Sequence, residues 1–193
     1  MIAVIKYNAG NIFSVECALK RLGAEFITTG DKKIISSADK VIFPGVGEAA
    51  STMAYLKKYG LDEVIKNLTQ PVLGICLGMQ LMCKFSEEGD TDCLGIFDAP
   101  VKKFKSEKEK IPHMGWNNIS EVKTPLFDKS CEGQYVYFVH GYYAPLCADT
   151  AASCDYILRF SAALQKNNFY AVQFHPEKSG GTGEKILKNF LET

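Results

Sequence analysis

Short apolar runs alternate with longer amphipathic stretches through the first half of the chain. Ile2 to Ile5 is four apolar residues in a row, the signature of a short strand covered on both faces. Ile12, Val15, Leu19 and Leu22 recur at helical spacing, with Asn11 placed to cap that helix and Gly23 to stop it. Val41-Ile42-Phe43 reads as a second buried strand and runs into Pro44-Gly45-Val46-Gly47. Helices are predicted from about Ala49 to Lys58 and from about Leu61 to Asn67. Val72 to Ile75 is a third strand, and an apolar helix from Gly78 to Phe85 follows it. From about Gly95 to Phe169 the pattern shortens to strands and turns, of which Tyr135 to Val139 is the clearest strand. Tyr170 to Phe174 closes the strand set, and a helix from about Thr182 lines up Ile186, Leu187, Phe190 and Leu191. This alternation predicts an α/β fold: a mostly parallel sheet flanked by helices, with antiparallel strands added in the second half. No repeat, linker or low-complexity tract interrupts the 193 residues, so one domain over 1–193 is expected.

Composition sets limits on this picture. Hydrophobic residues make up 47% and charged residues 23%, ordinary values for a globular chain. Lys plus Arg and Asp plus Glu number 22 each, which gives no electrostatic case for nucleic acid or an anionic membrane. No apolar run approaches a membrane span. The opening Met1-Ile2-Ala3-Val4-Ile5-Lys6 lacks the basic-then-apolar order of a signal peptide, and a cytoplasmic location is expected. Seven cysteines without a Cys-x-x-Cys pair or a zinc-like spacing suit a reducing compartment and no metal. The dense charge run from Lys102 to Lys110 alternates in sign and reads as a solvated loop or strand end.

One cysteine stands apart. Cys76 lies between Gly74 and Gly78, where the third strand meets the helix that follows. Glycines at i−2 and i+2 let the backbone turn sharply and place the sulfur at a helix N-terminus, which favours a thiolate. Such a pattern also arises for packing alone, so its neighbours decide the reading. In an open parallel sheet, sites form at the carboxyl ends of strands. Three signals fall there: Pro44-Gly45-Val46-Gly47, the Cys76 elbow, and His175-Pro176-Glu177. Cys76 suits a nucleophile, His175 a general base and then acid, and Glu177 the group that orients the imidazole. Backbone N–H groups of Val46 or Gly47, with that of Leu77, are candidates for an oxyanion hole. Of the three histidines, His113 and His140 lack an acid two or three residues away, which leaves His175. Gln80 lies one helical turn beyond Cys76, so its amide can face the same pocket.

Gly74-Ile75-Cys76-Leu77-Gly78-Met79-Gln80, taken with His175-Pro176-Glu177, resembles the class I, triad-type glutamine amidotransferases. Four further stretches are similar to the amidotransferase subunits of imidazole glycerol phosphate synthase. These are Tyr7 to Asn11, Phe43 to Gly47, Pro112 to Asn117 and Tyr137 to Tyr142. The resemblance implies a flavodoxin-like sheet and no cofactor. It implies attack by Cys76 on the side-chain amide of L-glutamine, release of ammonia, and hydrolysis of a thioester to glutamate. It assigns Gln80 and Glu88 to substrate binding, although Glu87 is adjacent to Glu88. It also implies transfer of the ammonia to a cyclase subunit of β/α-barrel type in a heterodimer for histidine biosynthesis. Trp116, read as part of a Gly-Trp-Asn turn, and Lys178, just past Glu177, are the residues it directs toward that partner. A paralogue feeding ammonia to another acceptor, such as a sugar nucleotide, remains open at this point. So do a thiol hydrolase with the same elbow and a catalytically idle scaffold.

Overall fold

A computed structural model describes residues 1–7 and 12–193; the expected cap Asn11 lies outside the described residues. Seven strands form the main sheet. Its central strands are β1 (Ile2–Ile5), β3 (Lys40–Phe43), β4 (Val72–Ile75) and β13 (Phe169–Val172). All four run parallel to their neighbours in this group, as does the edge strand β2 (Phe26–Thr29). On the far side β11 (Thr150–Tyr156) and β12 (Leu158–Lys166) add antiparallel to β13. The predicted parallel sheet with antiparallel additions is what the chain forms.

The period-two geometry of a strand sends alternate side chains into two separate layers. Ile2 and Val4 join a core with α1 (Ile12–Arg21) and α6 (Gly180–Glu192), which contribute Val15, Leu19, Ile186, Leu187 and Phe190. Ala3 and Ile5 join the opposite core. There they meet α2 (Lys32–Ser37), α3 (Ala49–Tyr59), α4 (Leu61–Lys66) and α5 (Leu77–Met82). Covering both faces explains why the central strands read as unbroken apolar runs. The helix boundaries have local causes. Glu48 caps α3 by accepting from the N–H groups of Ala50 and Ser51, and Gly60 ends it at φ +63°. Gly23, at φ +68°, stops α1 as expected.

Several sequence expectations need correction. β2 and α2 were not foreseen. Every residue of β2 is only half-buried at the sheet edge, and α2 has six residues capped by Asp31 with Ile35 alone buried, so neither carries a strong pattern. The apolar helix after Cys76 stops at Met82, where Cys83 turns extended, and Phe85 enters a short strand, β5 (Phe85–Ser86). α6 starts at Gly180, two residues before its expected start. Trp116 is not in a turn. It lies within β8 (His113–Asn118), paired antiparallel with β9 (Tyr135–His140) so that Trp116 faces Tyr137. A four-stranded sheet completes the second half, with β5 and β6 (Thr91–Asp92) beside β7 (Pro100–Lys103) and β10 (Tyr142–Tyr143). Among the described residues no helix is long and apolar enough to cross a membrane.

Candidate active site

β13, β4 and β3 are consecutive in the sheet, so the loops at their carboxyl ends lie side by side. Those loops carry His175, Cys76 and the Pro44 to Gly47 turn. Together they open onto a cavity of about 330 Å³. Val46 and Gly47 line it from β3, Cys76 and Leu77 from β4, and Gln80 from α5. Glu88 reaches it from the β5–β6 turn, and His175 and Lys178 from beyond β13. Glu177 stands behind His175, and Trp116 lies on the β8–β9 ribbon outside the cavity.

The cysteine sits at a strained turn. Its φ of 54° and ψ of −109° are costly for a residue with a side chain and are held by the packing on either side. A Cβ on Gly78 would lie 2.0 Å from the Phe43 carbonyl oxygen, and one on Gly74 2.8 Å from the Met82 sulfur. Gly78 is therefore required by the close backbone approach of α5 to β3, whereas at Gly74 the nearest atom belongs to the movable Met82 side chain and the α5 backbone follows at 3.1 Å.

His175 is buried and its Nδ1 lies 2.8 Å from Glu177 Oε1, whose side chain is 2% exposed. Burial acts to lower the imidazole pKa. Hydrogen bonds and negative charge from Cys76 and Glu177 outweigh it and push the value up to about 10. The backbone stitches this loop to β9. His175 N–H donates to the Tyr137 carbonyl at 2.9 Å, Ser179 Oγ donates to the His175 carbonyl at 2.6 Å, and Tyr137 N–H donates to Ser179 Oγ at 2.9 Å. Ser179 and Tyr137 were missed by sequence reasoning, since a serine just past Glu177 looks like an ordinary helix cap.

Of the two adjacent glutamates, only Glu88 faces the cavity. Glu87 turns away to accept from Lys103 N–H at 2.7 Å. Glu88 Oε2 accepts from Ala49 N–H at 2.8 Å, and burial nonetheless raises the pKa of its carboxyl. Gln80 Nε2 is fully used, donating to the Tyr142 carbonyl at 3.1 Å and to Gln173 Oε1 at 3.0 Å. Only Gln80 Oε1 is left to receive a ligand. Leu77 N–H is also engaged, donating to the Gly45 carbonyl at 3.3 Å. Because a trans peptide sets C=O and N–H on opposite sides, Val46 N–H then points away from Leu77.

A model of the class-I glutamine amidotransferases matches residues 7–193. This chain belongs to that family. The amidotransferase is 64% identical over 193 residues to "Imidazole glycerol phosphate synthase subunit HisH" of Bacteroides thetaiotaomicron, covering 99% of this chain and 98% of that one. It is 46% identical to the protein of the same description in Yersinia pseudotuberculosis, again with 99% and 98% coverage. Among solved structures it resembles a putative GMP synthase protein from Thermoplasma acidophilum, with a TM-score of 0.76 at 22% identity over 100% of this chain and 92% of that chain. A second structure, described as a glutamine amidotransferase, gives a TM-score of 0.74 at 18% identity, with 100% and 98% coverage. These structural likenesses speak for the fold.

Proposed function

We propose that this amidotransferase is the glutaminase subunit of an imidazole glycerol phosphate synthase, acting as one domain over 1–193 and supplying ammonia to a β/α-barrel cyclase in a heterodimer. The observation that carries the reading is Cys76 and His175 on one cavity with Glu177 held against His175, in a chain so similar to HisH subunits. Cys76 attacks the side-chain amide carbon of glutamine. His175, held by Glu177, gives its proton to the departing nitrogen, and ammonia leaves. Water then loses a proton to His175, attacks the thioester and releases glutamate. Gln80 Oε1 and the Glu88 carboxylate are acceptors, suited to the α-ammonium of the substrate. A sugar-nucleotide acceptor is not favoured, because the HisH relatives align over nearly the whole chain.

The oxyanion hole is the incomplete part of this machinery. With Leu77 N–H on the Gly45 carbonyl and Val46 N–H turned away, two of the three candidate donors do not await an oxyanion. A rotation of the Gly45–Val46 peptide releases the first and brings in the second. That rotation turns on ψ of Gly45 and φ of Val46, and Gly45 has no side chain to restrict it. We assign the trigger to the docked cyclase. Loss of one oxyanion donor costs about 10² to 10³ in turnover. Glutaminase turnover is therefore expected to rise by about that factor when the barrel partner is added. An isolated amidotransferase as active as the complex would overturn the assignment.

A further inference from the structure

Gln173 is fully buried and belongs to none of the motifs that mark the site. It stands one residue beyond Val172, as Cys76 stands one beyond Ile75, and Val172 and Ile75 are register partners in adjacent parallel strands. Cys76 N–H donates to the Val172 carbonyl at 2.8 Å, which holds the two strand ends together. Gln173 Nε2 lies 3.8 Å from Cys76 Sγ.

The direction of this amide is set from its far end. The Tyr142 carbonyl can only accept, so Gln80 must present its Nε2 there. That same nitrogen reaches Gln173, whose facing atom must then be its oxygen. With its oxygen committed, Gln173 has only its NH2 group to offer the sulfur. The Tyr142 carbonyl is itself held by His140 Nδ1 at 2.7 Å, which assigns the His140 proton to Nδ1. His140 Nε2 is then the acceptor for His113 Nδ1–H at 3.0 Å. One sense of donation therefore runs from His113 through His140 to Tyr142, where it meets the donation from Gln80.

We propose that Gln173 is a catalytic residue: its Nε2–H donates to the Cys76 sulfur and stabilises the thiolate, with Gln80 and the Tyr142 carbonyl locking the direction of the bond. This rests on the glutaminase reading above. The Val139 carbonyl, 3.8 Å from Sγ, is an acceptor and favours the thiol, so Gln173 acts against it. Charge builds on the sulfur before attack and again as the thioester breaks. The hydrogen bond is strongest at those points and weakest while sulfur carries the acyl group.

The test is the rate of Cys76 alkylation by iodoacetamide, read at that peptide by mass spectrometry, in wild type, Gln173→Met and Gln173→Glu. At pH 7 the Met variant is expected to react about tenfold more slowly, the worth of one hydrogen bond to a charged acceptor. The Glu variant keeps an oxygen for Gln80 but turns an oxygen toward the sulfur, and is expected to be slower still. As the pH is raised the three rates are expected to converge. With the cyclase present, kcat falls in the same order, and in the Glu variant, which keeps the oxygen that orients Gln80, KM for glutamine stays within about twofold. Should the Met variant fail to fold, the Glu variant carries the comparison. Rates at pH 7 within twofold of wild type, or a deficit of equal size at every pH, would overturn the proposal. A wild-type Cys76 left unlabelled by a glutamine-derived diazo ketone would instead remove the glutaminase reading on which it rests.

Discussion

Gly78→Ala places a methyl group where α5 meets the end of β3. The new Cβ would lie 2.0 Å from the Phe43 carbonyl oxygen and 3.1 Å from its carbon, both backbone atoms. Side-chain Cβ atoms essentially never approach a neighbour closer than 3.0 Å, so helix and strand must separate by about 1 Å or more. Neither partner is a flexible side chain, which puts the cost at the upper end for overpacking, about 3 kcal/mol. In a chain of this length that lowers Tm by roughly 6 to 12 °C. The displacement falls on the turn that holds Cys76, so glutaminase turnover should fall by about 10² as well. Calorimetry and a coupled glutamate assay in the presence of the cyclase check both figures. Gly181→Ala is the control. It lies in the first turn of α6 with nothing within 4 Å of the added methyl, and its stability should be unchanged or higher by up to about 1 kcal/mol. A Gly78→Ala protein that melts within 2 °C of wild type (roughly 1 kcal/mol) and keeps full activity would refute the packing argument.

Two other outcomes follow from the same geometry. Burial lowers the pKa of His113 to about 4 and of His140 to about 3, so both are neutral in the folded protein at pH 5 and charged in the unfolded chain. Unfolding then takes up about two protons from this pair, and stability falls with pH below about 6.5 at a slope of roughly 2.7 kcal/mol per unit near pH 5. Urea titrations across pH 5 to 6 should show that slope reduced by about half its histidine part in His113→Gln, and an unchanged slope would count against the assignment. Trp116 is 55% exposed on the β8–β9 ribbon and Lys178 lies at the cavity mouth. Trp116→Ala should weaken cyclase binding by about 2 kcal/mol or more, and Lys178→Ala by less; calorimetric titration with unchanged Kd in both variants would place the partner elsewhere.

How much was legible beforehand depended on what signal each part carries. The central strands were readable because burial on both faces leaves unbroken apolar runs such as Val72 to Ile75. β2 and α2 lie at the periphery, where half-buried positions dilute the pattern. Cys76, His175 and Glu177 stand out as candidates because their spacing to glycine and proline is local in sequence. Trp116 was misplaced because its environment is set by β9, some twenty residues on, and no local feature of Gly-Trp-Asn reports that pairing. Gln173 had one usable signal. It alternates with His175 and Glu177 along the chain, so an extended backbone turns the first two toward the same side. What gives Gln173 a role is its meeting with Gln80 and Cys76 across nearly a hundred residues, which only the strand register supplies.

The central claim is that this chain makes ammonia at Cys76 and the partner consumes it. The direct test is product formation by the reconstituted complex carrying Cys76→Ala, measured once with glutamine and once with an ammonium salt. The glutamine-driven rate is expected to fall by several orders of magnitude, as when the nucleophile of another triad is removed, while the ammonia-driven rate stays at the wild-type level. A variant that keeps more than about a tenth of its glutamine-driven rate would contradict it.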